Sequence, residues 1–168
     1  MSAETPPGSL VTGAARGIGL AIARALAARG DDVVLADLDL DEAASQAAAL
    51  RASGYEARAV SLDVTDVEQV RFVVSEVDAA SPLGTLVCNA GIAFSSPVAD
   101  VEPADYDRLM DVNARGVFFT MQAGLRAMLP RRAGSVVNVA STSSFTASTG
   151  PMVVYDACLL YTSDAADE

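Results

Sequence analysis

The glycine cluster in Thr12–Gly19 (TGAARGIG) and the carboxylate of Asp37 are the residues whose types and spacing best suit ligand chemistry. Gly13, Gly17 and Gly19 fall between a predicted strand and a predicted helix, where glycines permit a tight turn and the close approach of a pyrophosphate. Free N–H groups and the helix dipole favour anions at that point. Asp37 ends the next predicted strand 18 residues after Gly19. A carboxylate placed there can accept hydrogen bonds from the ribose hydroxyls of adenosine, so the pattern indicates a dinucleotide site.

The same residues predict NAD rather than NADP. Asp37 would face the extra phosphate of NADP as a like charge. Arg16 argues the other way, because a basic residue in the glycine loop can contact that phosphate. We expect Asp37 to decide the preference, and we place Ile18 and Leu38 in the cofactor-contacting set as well. There are simpler alternatives to a dinucleotide site: the glycine cluster could be a packing loop, and Asp37 could be a solvated aspartate in an Asp-rich turn.

The composition excludes several other kinds of chemistry. The 168 residues contain 11 basic residues, all of them arginine, with no lysine and no histidine. A P-loop and a Schiff-base enzyme each need a lysine, and a Ser-His-Asp hydrolase needs a histidine. Histidine-ligated metals are excluded too, and two cysteines cannot complete a zinc site. We therefore predict no metal site and expect carboxylate, tyrosine, serine and backbone chemistry.

The charge and hydropathy patterns predict a soluble, cytoplasmic protein that binds neither nucleic acid nor membranes. The 22 acidic residues outnumber the 11 basic ones and give a formal charge of −11, which repels polyanions. No apolar run approaches 18 residues, and the first residues lack an apolar signal region. Cys88 and Cys158 form no disulfide framework, which fits a reducing compartment.

Strand-like and helix-like segments alternate along the chain, which predicts an α/β fold. The expected strands are 9–11, 33–36, 57–62, 85–88 and 135–140, and the expected helices are 18–28, 39–52, 66–79, a stretch opening at 103, and 113–129. The first helix should bury Ile18, Ile22 and Leu26 on one face. This rhythm predicts a Rossmann-type, doubly wound parallel sheet in a three-layer α/β/α arrangement, truncated after the fifth strand. We expect a flexible segment 1–8 and one dinucleotide-binding domain over 9–157.

The TGxxxGxG spacing resembles the short-chain dehydrogenase/reductase family, and further matches follow in order up to Tyr155. Asp63 and Val64, after the third strand, resemble the family's adenine-contacting segment. Asn89, Ala90 and Gly91 resemble the NAG signature that shapes its cofactor cleft. The last three matches are to its catalytic residues, at Asn113, Ser141 and Tyr155. Taken singly, each of these residues also fits a strand-end cap, a turn, a helix cap or a polar loop.

The resemblance implies hydride transfer between a nicotinamide and a secondary alcohol or ketone. Tyr155 would be the acid/base, Ser141 would hydrogen-bond the reacting oxygen, and Asn113 would hold a proton-relay water. It also implies that the full-length protein is a homo-oligomer, dimer or tetramer. The helix 113–129 would contribute to the subunit interface through Val117, Met121, Leu125 and Met128.

The family's lysine, four residues after its tyrosine, is missing here. A tyrosine titrates near about 10, and the lysine stabilises the phenolate and holds the nicotinamide ribose. Leu159 stands at that position and supplies no charge, so we expect this chain to be inactive. Either the chain is a natural inactive relative, or its last 11 residues, Cys158–Glu168, are not native. The second explanation is favoured, because this tail resembles the translation of a widely used transposase sequencing adapter.

Two other functions remain open. A non-enzymatic dinucleotide-binding or sensor protein would keep the glycine loop and Asp37 yet need no lysine. A Rossmann-like methyltransferase would also use a glycine loop and an acidic strand end, but it gives Ser141 and Tyr155 no role at this spacing. Phe145 and Met152 are either pocket-lining or packing residues, and the substrate itself cannot be read from the sequence.

Overall fold

The computed structural model describes residues 6–146 and 150–163, and its core is a five-stranded, all-parallel sheet. The strand order is β3-β2-β1-β4-β5, which confirms the predicted doubly wound arrangement. The strands are β1 Gly8–Thr12, β2 Asp32–Asp37, β3 Ala57–Ser61, β4 Leu83–Cys88 and β5 Ser135–Asn138. The order changes direction between β1 and β4, and ligands bind beyond the carboxyl ends of strands at such a switch point.

Helices follow the strands as the alternating pattern predicts. They are α1 Gly17–Arg29, α2 Leu40–Ala52, α3 Val67–Ala80, α4 Pro103–Met110, α5 Val117–Met128 and α6 Val153–Ser163. Asp39 caps α2 and Asp66 caps α3, because each carboxylate accepts backbone N–H groups of the first turn. Gly30 ends α1 in the left-handed conformation.

The sheet is buried on both faces, which explains why its strands read as continuous apolar runs. Val33 and Leu35 of β2 pack on one side against α1 and α2. Val34 and Ala36, which alternate with them, pack on the other side against α3 and α5. These two cores make the three-layer α/β/α arrangement that the sequence predicts.

The buried face of α1 differs from the prediction. Ile18 is 66% exposed, while Gly19, Ala23 and Ala27 face the sheet. Small residues at this spacing let the helix backbone lie close to β1 and β2, so the core contact depends on proximity rather than on large side chains. Ile22 and Leu26 are partly buried and pack against this core, so the predicted face is wrong only for Ile18.

Residues 103–128 form one continuous helical run rather than two separate helices. Met110, Asp111, Gly116 and Val117 all have right-handed helical dihedrals, so no break separates α4 from α5. The segment between them, Asp111–Gly116, is π-helical. Such an expanded turn is rare and occurs frequently at functional sites, and this one contains Asn113.

The face of α5 assigned to a subunit interface is mostly occupied within the chain. Met128 is 4% exposed and lies in the core, and Val117 and Met121 pack against that core. Of the four predicted interface residues, only Leu125 is exposed, at 38%. The bulky residues that α5 presents to solvent are instead Phe118 and Leu125, with Leu129 at its end.

A polar cluster closes the opposite end of the sheet from the glycine loop. Asp31 is buried and accepts hydrogen bonds from Ser9 and Arg29. The Arg29 guanidinium also donates to the Thr85 hydroxyl at 2.9 Å. Burial raises the pKa of Asp31, but the hydrogen bonds from Arg29 and Ser9 outweigh it and hold that pKa below its ordinary value. This end of the sheet thus keeps a charged carboxylate satisfied.

The terminal segments agree with the prediction only in part. Residues 6–8 are bonded into the fold, since the Pro6 carbonyl accepts the Ser81 hydroxyl and β1 begins at Gly8. The rest of the expected flexible segment, 1–5, lies outside the described residues. The backbone of α6 continues to Ser163, and residues 164–168 of the adapter-like tail also lie outside them. Within the described part of the chain, no helix is long and apolar enough to cross a membrane.

Candidate active site

The first turn of α1 is the feature of this structure best suited to an anion. Arg16 precedes α1 without making a side-chain cap, and no acidic residue lies in the first turn. Helices α2 and α3, by contrast, have both an aspartate cap and acidic residues there. Among the residues that the structure describes, no side-chain cap or acidic residue of the first turn compensates the positive end of the α1 dipole, as expected of a phosphate site.

Two glycines shape this turn for different reasons. Gly17 has φ +57° and open space where a Cβ would stand, so it permits the backbone conformation that turns into α1. Gly19 permits a close approach, because its Cβ would lie 2.2 Å from the Gly13 carbonyl oxygen and 2.5 Å from Asn89 Nδ2. Gly19 is therefore required by the packing of the loop, and Gly17 by its dihedral angle.

Asn89 supports the glycine loop from the neighbouring strand. Its side-chain amide donates to the Thr12 carbonyl at 2.9 Å and to the Gly13 carbonyl at 3.0 Å. The Thr12 hydroxyl in turn accepts the backbone N–H groups of Asn89 and Ala90 at 3.0 and 3.1 Å. Thr12 was missing from the predicted site residues, although its place as the first residue of TGxxxGxG could have indicated this role.

The Asp37 carboxylate is held in a fixed orientation at the end of β2. One oxygen accepts the Ala15 N–H at 2.9 Å, and the other accepts the Asp39 N–H at 3.0 Å. Arg16, from the glycine loop, forms an ion pair with the Asp39 carboxylate. Asp37, Arg16 and Leu38 all line one crevice, and their binding of a ribose stays a prediction.

The segment after β3 forms the next wall of this crevice. One Asp63 oxygen accepts both the backbone N–H and the hydroxyl of Thr65, at 2.9 and 2.7 Å. The Gln69 side chain accepts the Asp63 N–H at 2.7 Å. These contacts fix the Asp63-Val64-Thr65 turn, and all three residues line the crevice.

The resulting crevice has a volume of about 560 Å³. It is lined by Gly13, Arg16, Asp37, Leu38, Asp39, Leu62, Asp63, Val64, Thr65, Asn89, Ala90, Gly91, Ile92, Arg108 and Val112. Arg108 and Val112 were not predicted, because they come from the α4 and π-helical region, which carries no cofactor motif in sequence. The crevice brings together nine of the predicted cofactor residues.

A second cavity of about 310 Å³ adjoins the crevice and contains the three predicted catalytic residues, Asn113, Ser141 and Tyr155. The two share a wall formed by Asn89 to Ile92. Ile18 lines this second cavity rather than the first, and Leu159 lines it one helical turn after Tyr155. The sequence placed these polar groups far apart along the chain, and the fold brings them to one cavity.

The Asn113 side chain is bonded to the loop after β4. Its amide oxygen accepts the Ile92 N–H and its amide nitrogen donates to the Ile92 carbonyl, both at 2.8 Å. This paired contact fixes the π-helical segment to the shared wall of the two cavities. The side chain therefore has a positioning role in this structure, and the proton-relay water that the resemblance implies for Asn113 stays a prediction.

Ser141 and Tyr155 approach the cavity from different elements. Ser141 follows β5, and its hydroxyl oxygen accepts the Ser143 N–H at 3.2 Å, which leaves the hydroxyl proton available to a ligand. Tyr155 lies in the first turns of α6 and packs beside Leu109 and Val154. Phe145, a predicted pocket residue, is 87% exposed, and Met152 pairs with Ser96 in an isolated bridge.

The thiol of Cys88 offers no nucleophile. Burial raises the pKa of Cys88 to about 12, so this residue at the end of β4 stays protonated at neutral pH. Within residues 6–146 and 150–163, no group of three or more histidine, cysteine, aspartate or glutamate side chains could hold a metal ion.

Gly116 is expected to be essential to the contact between the π-helical segment and Val64. A Cβ at this position would lie 2.9 Å from Val64 Cγ2 and 3.1 Å from the Val64 carbonyl oxygen. We expect Gly116→Ala to lower the free energy of unfolding by about 1–3 kcal/mol, as overpacking does. Adding Val64→Ala removes one clashing atom and should recover part of that loss in denaturant titrations.

Gly91→Ala is the matched control, since its Cβ would lie 3.4 Å from Asn113 Oδ1 and needs a smaller adjustment. If the losses from Gly116→Ala and Val64→Ala simply add in the double variant, the proposed contact is not the cause of the destabilisation.

Comparison with known proteins decides the family. The model of a family described as short chain dehydrogenase matches residues 9–158. This chain belongs to the short-chain dehydrogenase family. Its members and its named relatives are oxidoreductases, and the family binds NAD(P).

Individual short-chain dehydrogenases match over most of this chain. Galactitol 2-dehydrogenase of Agrobacterium fabrum is 43% identical over 135 residues, which are 79% of this chain and 52% of that protein. Gluconate 5-dehydrogenase of Gluconobacter oxydans is 38% identical over 143 residues, or 84% of this chain and 56% of that protein. The chain thus spans about half the length of the curated relatives it matches.

A solved short-chain dehydrogenase shares the fold. The crystal structure of a gluconate 5-dehydrogenase from Burkholderia cenocepacia, in complex with NADP and tartrate, superposes with a TM-score of 0.86 at 36% identity. The match covers 96% of this chain and 65% of that one. The parallel sheet, the order of its strands and the helices on both faces are therefore those of the family.

Proposed function

We propose that the protein containing this chain is an NAD-dependent oxidoreductase that interconverts a secondary alcohol and a ketone. The observation that carries the proposal is the continuity of the two cavities. Asp37 and the α1 turn lie at the first cavity, Ser141 and Tyr155 lie at the second, and Asn89 to Ile92 form a common wall. A dinucleotide extended along that wall would bring its nicotinamide end to the hydroxyl groups.

The residues of this chain fit such a cofactor. The uncompensated N-terminus of α1 would hold the pyrophosphate, the oriented Asp37 carboxylate would accept the ribose hydroxyls, and Asp63 would lie at the adenine. When bound, the nicotinamide accepts or supplies the hydride. In the oxidation direction Tyr155 would take the proton of the substrate hydroxyl, and Ser141 would hydrogen-bond the same oxygen. Asn113 would keep the wall in place through Ile92.

Cofactor choice follows from charge at the ribose end. Asp37 lies at this end of the crevice and would repel the extra phosphate of NADP, because both groups are negatively charged. The Burkholderia relative contains NADP, so this preference is a property proposed for the present residues and not for the family. We expect NADH to bind this chain at least about tenfold more tightly than NADPH, which corresponds to about 1.4 kcal/mol.

A titration of the purified chain with NADH and NADPH, followed by the change in nicotinamide fluorescence, measures both affinities. Asp37→Asn should reduce the discrimination by removing the like charge while keeping the shape. NADPH binding that equals or exceeds NADH binding in the unaltered chain would contradict the cofactor assignment. Failure to bind either dinucleotide would contradict the proposed function as a whole.

The substrate class proposed for the full protein is a polyol or a sugar acid. The support comes from relatives named for galactitol and gluconate, which carry secondary hydroxyl groups along a polar chain. Hydrogen-bond donors such as Ser141 at the second cavity suit a hydroxylated substrate better than an apolar one.

A second candidate function is dinucleotide binding without turnover, and Leu159 favours it for this chain. Leu159 is 7% exposed and lines the cavity beside Tyr155, where the family resemblance implies a lysine. An apolar side chain cannot stabilise a phenolate, so we propose that this chain binds cofactor yet transfers no hydride. Binding with no reduction of NAD by a polyol would support this candidate.

We further propose that the full-length protein is a homo-oligomer. Phe118, Leu125 and Leu129 expose 52%, 38% and 65% of their surface along α5 and its end. Neighbouring apolar residues at helical spacing mark a surface that association would bury.

A further inference from the structure

One residue beyond the predicted site, Asp39, contacts both charged groups of the ribose end. Its backbone N–H donates to Asp37 at 3.0 Å, and its carboxylate pairs with the Arg16 guanidinium. The other oxygen of the Asp39 carboxylate accepts the Glu42 N–H at 3.2 Å. This contact makes Asp39 the N-cap of α2. Asp39 is therefore anchored to α2 and fixed relative to Asp37.

Arg16 is the group whose charge this arrangement controls. It lines the same crevice as Asp37 and Asp39, and 71% of its side chain is exposed. A free guanidinium at this position would attract a phosphate on the neighbouring ribose. Paired with Asp39, its charge is neutralised, and the three side chains together carry a formal charge of −1.

We propose that Asp39 is a specificity-determining residue that acts through Arg16. The Asp39 carboxylate forms an ion pair with Arg16, so the guanidinium is not free to pair with the extra phosphate of NADP. The crevice therefore binds NAD more tightly than NADP. This inference rests on the proposed function, because it concerns the affinity of the same crevice for two dinucleotides. Asp39 is a positioning residue here, since it acts through Arg16 rather than on the cofactor.

The test compares dissociation constants for NADH and NADPH among variants of the whole chain. Asp39→Asn removes the charge but retains an N-cap residue, so the start of α2 should persist. We expect the affinity for NADPH to rise about threefold to tenfold relative to the affinity for NADH, the range for an exposed ion pair near a multivalent anion. Equal melting temperatures verify that the fold is unchanged.

Two further variants distinguish an effect that acts through Arg16 from the effect of a change in net charge alone. Asp41→Asn makes the same change of charge in the first turn of α2, and should raise NADPH affinity less than Asp39→Asn does. Arg16→Ala removes the cation, and in that background Asp39→Asn should have no more effect than Asp41→Asn. The dependence of the Asp39 effect on Arg16 is a signature that a merely structural role would not produce.

The possible outcomes are distinct. An unchanged NADPH/NADH ratio in Asp39→Asn, with NADH still bound, overturns the inference and leaves the proposed function intact. An equal effect of Asp41→Asn, or a full effect of Asp39→Asn without Arg16, also overturns it. If the unaltered chain binds neither NADH nor NADPH, both the proposed function and this inference fail.

Discussion

Gly19→Ala is expected to weaken the binding of NADH by at least about 100-fold, or about 2.7 kcal/mol. The added Cβ would lie 2.2 Å from the Gly13 carbonyl oxygen and 2.5 Å from Asn89 Nδ2. Neither neighbour can move alone, because Asn89 Nδ2 donates to that same Gly13 carbonyl. The loop must therefore shift away from α1, and its N–H groups would lose the arrangement that suits a pyrophosphate.

The measurement is a fluorescence titration of wild type and variant with NADH, accompanied by circular dichroism to verify that the variant is folded. Gly150→Ala is a suitable control, since a Cβ there meets no atom of the described residues within 4 Å. Near-normal NADH affinity in a folded Gly19→Ala chain would show that the α1 turn is not the cofactor site.

Leu159→Lys should tighten NADH binding by about tenfold, the second largest change we expect. Leu159 lies one helical turn after Tyr155, and both line the cavity that contains Ser141. An ammonium group at this position would reach the nicotinamide ribose and would stabilise a neighbouring phenolate. The chain spans about half the length of its relatives, so cofactor affinity is a more direct readout than turnover.

The gain in affinity should come at a cost in stability. Leu159 is 7% exposed, and burying part of an ammonium group there should lower the melting temperature. Leu159→Met is the matched control, because it keeps a flexible apolar chain of similar length without the charge. If the Leu159→Lys variant binds NADH no more tightly than the Leu159→Met variant, the lack of a positive charge at this position does not limit the affinity for NADH.

The features that were predictable from sequence are those controlled by short local patterns. One example is the glycine cluster, whose spacing predicted a loop between β1 and α1. Another is Asp37, whose distance along the chain from that cluster predicted a carboxylate at the end of β2. The alternation of apolar runs with helical segments likewise predicted the doubly wound sheet, because strands buried on both faces have few polar residues. The helix predicted over 39–52 is α2, and Asp39 at its start is the N-cap.

The features that were not predictable depend on proximity between distant segments. Small residues, not Ile18, make the buried face of α1, since the helix lies too close to the sheet for large side chains. The continuity of α4 with α5 was hidden because Asn113 is also a common cap residue, and only its contacts with Ile92 explain its position in a π-helical turn. The ion pair of Arg16 with Asp39 spans 23 residues and has no local signature.

The polar cluster around Asp31 has a consequence for how this chain can change over time. Ser9, Arg29 and Thr85 complete that cluster at one end of the strands, while the glycine loop and Asp37 lie beyond the other end. Substitutions at the Asp31 end therefore change the stability of the sheet and leave the ligand-binding surface at the other end unchanged. Selection can trade stability at one end against new specificity at the other, and a designer can randomise the two ends as independent libraries.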